Sequence, residues 1–513
     1  METALPRPII RFLAGHSVLQ VALIPLIAFV SVALALVLVA TDGNPFVGVL
    51  LLGVLAIAVA TVYRADWGFY IFLFFVLFFD QYDIPGFPSF TTTVEYFLNL
   101  NAIGWLPQIE QGVVTPMELQ LLFLGAVWFL TCVLRGSFDI TPLPRMGTMV
   151  LMYLAIIATM VKGLLGGGSF VITLWETRAL FYMGLMILFV PQVIKTEEQV
   201  RGVMWVAIAG ISFKAFQGAW RYASLGFTFG RWPNIYETLT NHEDPVFTIT
   251  LWVLLLGLVL FGVKERQRKA LLWLMIPLVL GYVAAQRRAA YASLMATFAA
   301  YLVLLPGKQR MRILKVVGVF AVFFGLYLGV FWDSYSRIGS VAQQFKATVT
   351  DEPGIRGDKD VKSTLYRKIE NYNLGQTFQR EPFNGIGFGK PYDKVMTLWG
   401  SGFALGDYVA HNQILWVFVQ MGGGGAFFFF LFFNTYVFRG AMVFQKMTNP
   451  YLKTVCAMCL VAVFNQIVVS YVDMQLTYYR NMVYLGVLIG LMPVLANLQE
   501  HNGTSPEEER AEA

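Results

Sequence analysis

The chain has 513 residues, of which 57% are hydrophobic and 13% charged, with a net charge of +6 and a mean hydropathy of +0.63. A soluble domain has about 45–50% apolar and about 25% charged residues, so these values exclude a soluble globular enzyme and point to an all-α polytopic membrane protein. The small basic excess is spread over short loops, which gives no reason to expect a nucleic-acid partner.

In chain order, Arg7 and Arg11 precede an apolar run at 18–40. The run is too long for a cleaved signal and long enough to span a bilayer. Further apolar runs at 45–63, 67–84, 116–134, 146–162, 176–194, 199–216, 245–263, 270–286, 289–305, 313–331, 412–434, 451–470 and 480–497 bring the expectation to about fourteen transmembrane helices. The third is the least regular, because Asp80 and Asp83 sit near its end. Cys132, Cys456 and Cys459 all fall in apolar runs, where a packing role is expected rather than redox or metal work.

Lys264, Arg266, Arg268 and Lys269 crowd one short loop, and Lys308, Arg310, Arg312 and Lys315 another two spans later. The positive-inside bias places both in the cytoplasm, together with both termini. A large loop, 332–410, then faces outward, with ten Lys/Arg and nine Asp/Glu. The chain thus divides into N-terminal membrane helices (1–244), a membrane domain with that loop (245–497) and a cytoplasmic tail (498–513).

Arginines on the outer side run against this bias. Arg287 and Arg288 share a short turn, while Arg178 and Arg480 lie near outer helix ends. Snorkelling or pairing with acids such as Glu176 or Asp473 is one explanation for Arg178 and Arg480. Binding a lipid diphosphate is the other, because the planar guanidinium fork matches phosphate oxygens. His411, where the large loop re-enters the membrane, is the candidate general base, with His242 in reserve. Asp358-Lys359-Asp360 has the form of a metal-holding pair, but it faces away from any nucleotide sugar. No metal site and no cofactor are expected. Gly385-Ile386-Gly387-Phe388-Gly389 has the look of a phosphate-cradling loop but lacks the preceding strand.

Together these segments resemble a known family. Pro382 to Gly389, then Ala410-His411-Asn412-Gln413-Ile414-Leu415, then Gly422 and Gly425, are similar to the O-antigen ligase and polymerase family (WaaL and Wzy types). Thr364-Leu365-Tyr366-Arg367-Lys368 resembles the family's loop arginine, and Gln286-Arg287-Arg288-Ala289-Ala290 its Ser-Arg-Gly-Ala turn, with Gln286 and Ala289 departing from the pattern. The resemblance spans about 245–495. It implies a metal-independent, inverting glycosyltransferase of GT-C type in the bacterial inner membrane, with its active site facing the periplasm. The donor would be a glycan on undecaprenyl diphosphate and the acceptor a glycan or lipid hydroxyl. His411 would be the base and Arg288 and Arg367 would hold the diphosphate, with Arg287 and Arg178 as further candidates. Asn412, Gly385, Gly387 and Gly422 would be motif residues of structural weight. A surface-polysaccharide polymerase is the favoured reading. The argument is that two lipid-linked glycans need more outer basic groups than one, and Arg178, Arg221, Arg231, Arg287, Arg288, Arg367 and Arg480 are all placed outside. Ligation to a lipid A core is the first alternative, and a polysaccharide transporter or flippase the second.

Overall fold

The computed structural model describes residues 31–32, 35, 45–84, 87, 89–103, 113–136, 141, 146–226, 239–285, 287–334, 336, 338–350, 358–398 and 405–503. Among these residues all regular structure is helical. Two compact units are present. The first comprises Met1–Phe72 and Gln120–Phe138, and its described part is α1 (Pro45–Tyr63), most of α2 (Ala65–Phe78) and most of α3 (Pro116–Arg135).

The second unit, Leu73–Leu119 with Asp139–Ala513, carries every residue of the site described below. Its bundle contains α4 (Gly147–Leu165), α5 (Phe170–Val193), α6 (Glu197–Ser224), α7 (Asp244–Leu260), α8 (Arg266–Trp273), α9 (Met275–Ala284), α10 (Arg288–Leu304) and α11 (Gly307–Phe331). Then follow α12 (Ser340–Val349), α13 (Asp358–Arg380), α14 (Gln413–Lys446), α15 (Pro450–Ser470) and α16 (Tyr479–Gly503). Lipid gives helices no hydrophobic drive to associate, so close approach depends on small residues. Gly486 and Gly490 let α16 lie directly on the α5 backbone at Met183 and Met186, and Gly281 lets α9 lie on α6 at Ala215.

Eight described helices are long and apolar enough to cross a membrane: α3 to α6, α11 and α14 to α16. Five shorter apolar helices of 10–17 residues accompany them. The chain is an integral membrane protein of helical type, and of the fourteen expected spans the described residues show eight as helices long enough to cross. The run at 18–40 lies outside the described residues apart from 31, 32 and 35. The run at 67–84 stops as a helix at Phe78, because Asp80 is drawn into a buried ion pair with Lys214. The run at 270–286 sits in two short helices that meet at Leu274.

The large loop contains helices of its own. Its described part holds α12 and the 23-residue α13. The stripe that α13 buries is Tyr366, Glu370, Asn373, Leu374 and Thr377, which has helical spacing but is mostly polar. Asn373 donates to the Met396 carbonyl and accepts from the Met396 amide (both 2.8 Å), and Thr377 accepts from the Asp393 amide at 3.0 Å. The polar face is thus fully employed in holding the chain that leads back to α14.

α14 is two helices joined at Gly422, whose backbone (φ 66°, ψ 178°) only glycine adopts readily. The break frees carbonyls and amides that lipid could not satisfy. The segment 382–389 fills the gap. Ile386 and Gly387 donate to the carbonyls of Val419 and Gln420 (2.9 and 3.0 Å), while Gly423 and Gly424 donate to those of Pro382 and Phe383 (2.7 and 3.1 Å). A Cβ on Gly422 would lie 2.3 Å from the Phe383 carbonyl oxygen. Gly422→Ala is therefore expected to destabilise the protein by roughly 2 kcal/mol or more, from backbone strain plus overpacking. A thermal-shift measurement in detergent checks this, with Gly318→Ala as the neutral control because a Cβ there meets nothing within 4 Å.

Candidate functional site

The bundle has two polar ends. At one, Arg201 pairs with Glu197 and Glu265 and lies 4.1 Å over the Tyr451 ring, and Asn449 donates to Glu197 at 2.9 Å. The loops Lys195–Thr196, 261–265 and 447–449 gather there. At the other end the segments 239–243, 405–412 and 471–478 come together with Arg287, and these carry the candidate residues.

His411 stands just before α14. Asn412 caps that helix, its side-chain oxygen accepting the Leu415 amide at 3.0 Å. Gln413, fully buried, accepts from the amides of Gln475 (2.6 Å) and Leu476 and donates to Thr477 at 3.2 Å, so the start of α14 is tied to the 471–478 segment. The His411 ring packs edge-on against Tyr366 of α13 at 5.6 Å. One turn along α13, Glu370 accepts from the His411 backbone amide at 3.0 Å and faces Nδ1 at 3.1 Å. The glutamate is buried, whereas His411 keeps 25% of its side chain exposed. A buried carboxylate on Nδ1 selects the tautomer with the proton there and leaves Nε2 as the basic atom.

Around this pair lie the arginines. Arg367, one turn before Glu370, has a buried Nε with no hydrogen-bond partner. Burial pushes its guanidinium below the ordinary value. Asp473 pulls the other way, Arg288 and Arg287 add repulsion, and Glu370 pulls back weakly. An arginine remains charged even so, and the result is a cation crowded by two others. Arg288, at the start of α10, donates to Thr364 of α13 at 3.2 Å. Arg287 donates to Asp473 at 3.3 Å and also meets His242. Burial raises the Asp473 carboxyl, but the facing His242 and the guanidinium groups of Arg287 and Arg367 more than offset this and hold it below the usual range.

The structure thus brings together His411, Arg287, Arg288 and Arg367, with His242 beside them. Arg178 keeps other company: it pairs with Glu118, donates to Asn99 (2.9 Å) and the Val113 carbonyl (2.6 Å), and lies 6.0 Å from the Tyr479 ring. The expected acids were Glu176 and Asp473. Glu176 instead accepts from the Gly389 amide and from Gln420. Arg480 pairs with Glu243 (2.6 Å) and Asp244 (3.1 Å).

Gly385 and Gly387, at φ 62° and 89°, belong to the wedge in α14. The amides of Gly385, Ile386, Gly387 and Gly389 are all spent on protein oxygens, so this segment does not cradle a phosphate. The side chains of Asp358 and Asp360 lie outside the described residues. Among the described residues no group of three or more His, Cys, Asp or Glu is placed to hold a metal ion.

Glu370 was missed from sequence, and so was the place of Asp473 in this cluster. Glu370 had a signal: it lies three residues after Arg367 on a helix, so the two share a face.

Residues 270–430 match the family model described as O-antigen ligase, a stretch that includes Arg287, Arg288, Arg367, Glu370 and His411. His242, Asp473 and Arg178 fall outside it. No curated protein matches the chain.

Proposed function

We propose, from the match of residues 270–430 to the O-antigen ligase family, that this protein transfers a glycan from undecaprenyl diphosphate to an acceptor hydroxyl. The site would open on the periplasmic side of the bacterial inner membrane. The observation that carries this reading is the buried, partnerless Nε of Arg367, whose guanidinium is crowded by Arg287 and Arg288, one turn from the glutamate that holds His411.

In this reading the acceptor hydroxyl presents its proton to His411 Nε2. Its oxygen bonds to the anomeric carbon as the bond from that carbon to the diphosphate oxygen breaks. The electron pair leaves with the diphosphate, where Arg288, Arg367 and Arg287 neutralise it. The proton stays on His411 and the buried Glu370 stabilises the imidazolium. Attack opposite the leaving group inverts the anomeric centre, and no step calls for a metal.

The preference for a polymerase rested on a tally of seven outer arginines, and that tally shrinks. Arg178 and Arg480 have acidic partners, and Arg221 donates to the carbonyls of Leu239 and Phe87. Arg231 lies outside the described residues. Arg287, Arg288 and Arg367 form one cluster, with Arg287 also paired to Asp473, and one such cluster suits a single diphosphate, which is all that a ligase to a lipid A core needs, so this observation favours ligation as the second reading. A deletion strain separates the two. Surface glycan reduced to single repeats, or a secreted polymer lost, indicates a polymerase. Long chains stranded on undecaprenyl diphosphate indicate a ligase. An unchanged glycan profile sinks both.

The orientation has its own test. In a background without native cysteines, Lys362→Cys on α13 is expected to react with a membrane-impermeant maleimide in intact spheroplasts, while Lys264→Cys reacts only after permeabilisation. The reverse pattern would turn the site to the cytoplasm.

A further inference from the structure

His242 and Asp473 stand against the arginine cluster, outside the family match, and take no part in the transfer step above. The two rings of the site are engaged differently. His411 meets a carboxylate through Nδ1. His242 meets a carboxylate through Nδ1, at 3.2 Å from Asp473, and its Nε2 meets the Arg287 guanidinium. A guanidinium can only donate. That contact therefore requires a lone pair on Nε2 and places the ring proton on Nδ1, facing Asp473. The other Asp473 oxygen accepts from Arg287 Nη1 at 3.3 Å. The three side chains close a ring in which each is held by the other two.

We infer that His242 and Asp473 are positioning residues that fix the Arg287 guanidinium for the donor diphosphate, with His242 serving as a neutral hydrogen-bond acceptor. This rests on the reading of Arg287 as a diphosphate ligand. It also removes His242 as a reserve base, since its only lone pair is already engaged.

The groups that face His242 are Arg287 from the start of α10, Asp473 and Tyr478 from the 471–478 segment, and His411 from the start of α14. Burial first, then Arg287, disfavour a proton on the ring, and Asp473 only partly offsets them, so the imidazole sits below its ordinary value. Protonation would turn Nε2 into a donor facing a donor. The ring is thus closed at neutral pH and opens as pH falls through the lowered imidazole value.

The test is a double-mutant cycle on the purified full chain, read as donor KM and kcat and as affinity for inorganic pyrophosphate. His242→Ala is expected to raise donor KM and weaken pyrophosphate about tenfold, with a smaller loss in kcat. His242→Gln, which can accept and donate like the neutral ring, should restore most of this and abolish the rise in donor KM at acid pH. Once Arg287→Ala is present, His242→Ala should cost nothing further. Additive losses, or a loss in kcat at unchanged KM, would overturn the inference. Pyrophosphate affinity that ignores His242 would overturn it too. The pyrophosphate arm needs no glycan transfer, so failure of the proposed reaction and failure of the ring give different results.

Discussion

His411→Ala is expected to lower glycan transfer by about 10²–10⁴-fold while the protein still inserts and folds, because that is the range a positioned base contributes. Its ring is a quarter exposed and packs on one face against Tyr366, so its removal leaves a shallow notch at the surface. Glu370→Gln separates the base from its holder. The amide still accepts from the His411 backbone but carries no charge to stabilise the imidazolium. An intermediate loss is expected, mainly in kcat. Steady-state transfer by purified variants at equal expression checks both. Near wild-type activity in His411→Ala would place the base elsewhere.

Arg367→Ala is expected to cost roughly 10²–10³ in kcat, the scale set by removing a preorganised donor from a site of developing charge. Arg367→Lys keeps a cation but loses the fork and should recover only part. Stability makes the prediction sharper. Arg367 is partly buried, is repelled by Arg287 and Arg288 and has a partnerless Nε, so Arg367→Ala should leave the melting temperature unchanged or raised. A fall in both activity and stability would mark Arg367 as a structural residue.

Much of this was legible in the sequence. Hydropathy gave the membrane class, basic residues in the wrong place pointed to Arg287 and Arg288, and the family resemblance pointed to Arg367. His411 stood out because the large loop re-enters the membrane at that point. Arg178 and Arg480 carried the same signal, and their pairing with acids was anticipated in kind but not in partner. Glu118 and Glu243 lie 60 and 237 positions away along the chain, a separation that no local pattern reveals. α13 was hidden for another reason: the face it buries is polar, so it lacks the apolar period by which helices are read. The run at 67–84 ends as a helix at Phe78, short of its apolar reading, because Asp80 pairs with the buried Lys214.

The wedge at the α14 break acts at a distance through simple counting. Glu370 lies eleven residues before Glu381, which follows α13, and His411 eleven residues before Gly422; the residues next after these, Pro382 and Gly423, are joined by a backbone hydrogen bond. Both run in the same direction from the His411–Glu370 pair to that bond, and at 1.5 Å per residue each arm is roughly 16 Å long. The acid and the imidazole meet because two parallel rails of equal length start from a common crossbar. One residue added to either rail would carry its end group about 1.5 Å onward and about 100° around the axis, out of reach of its mate.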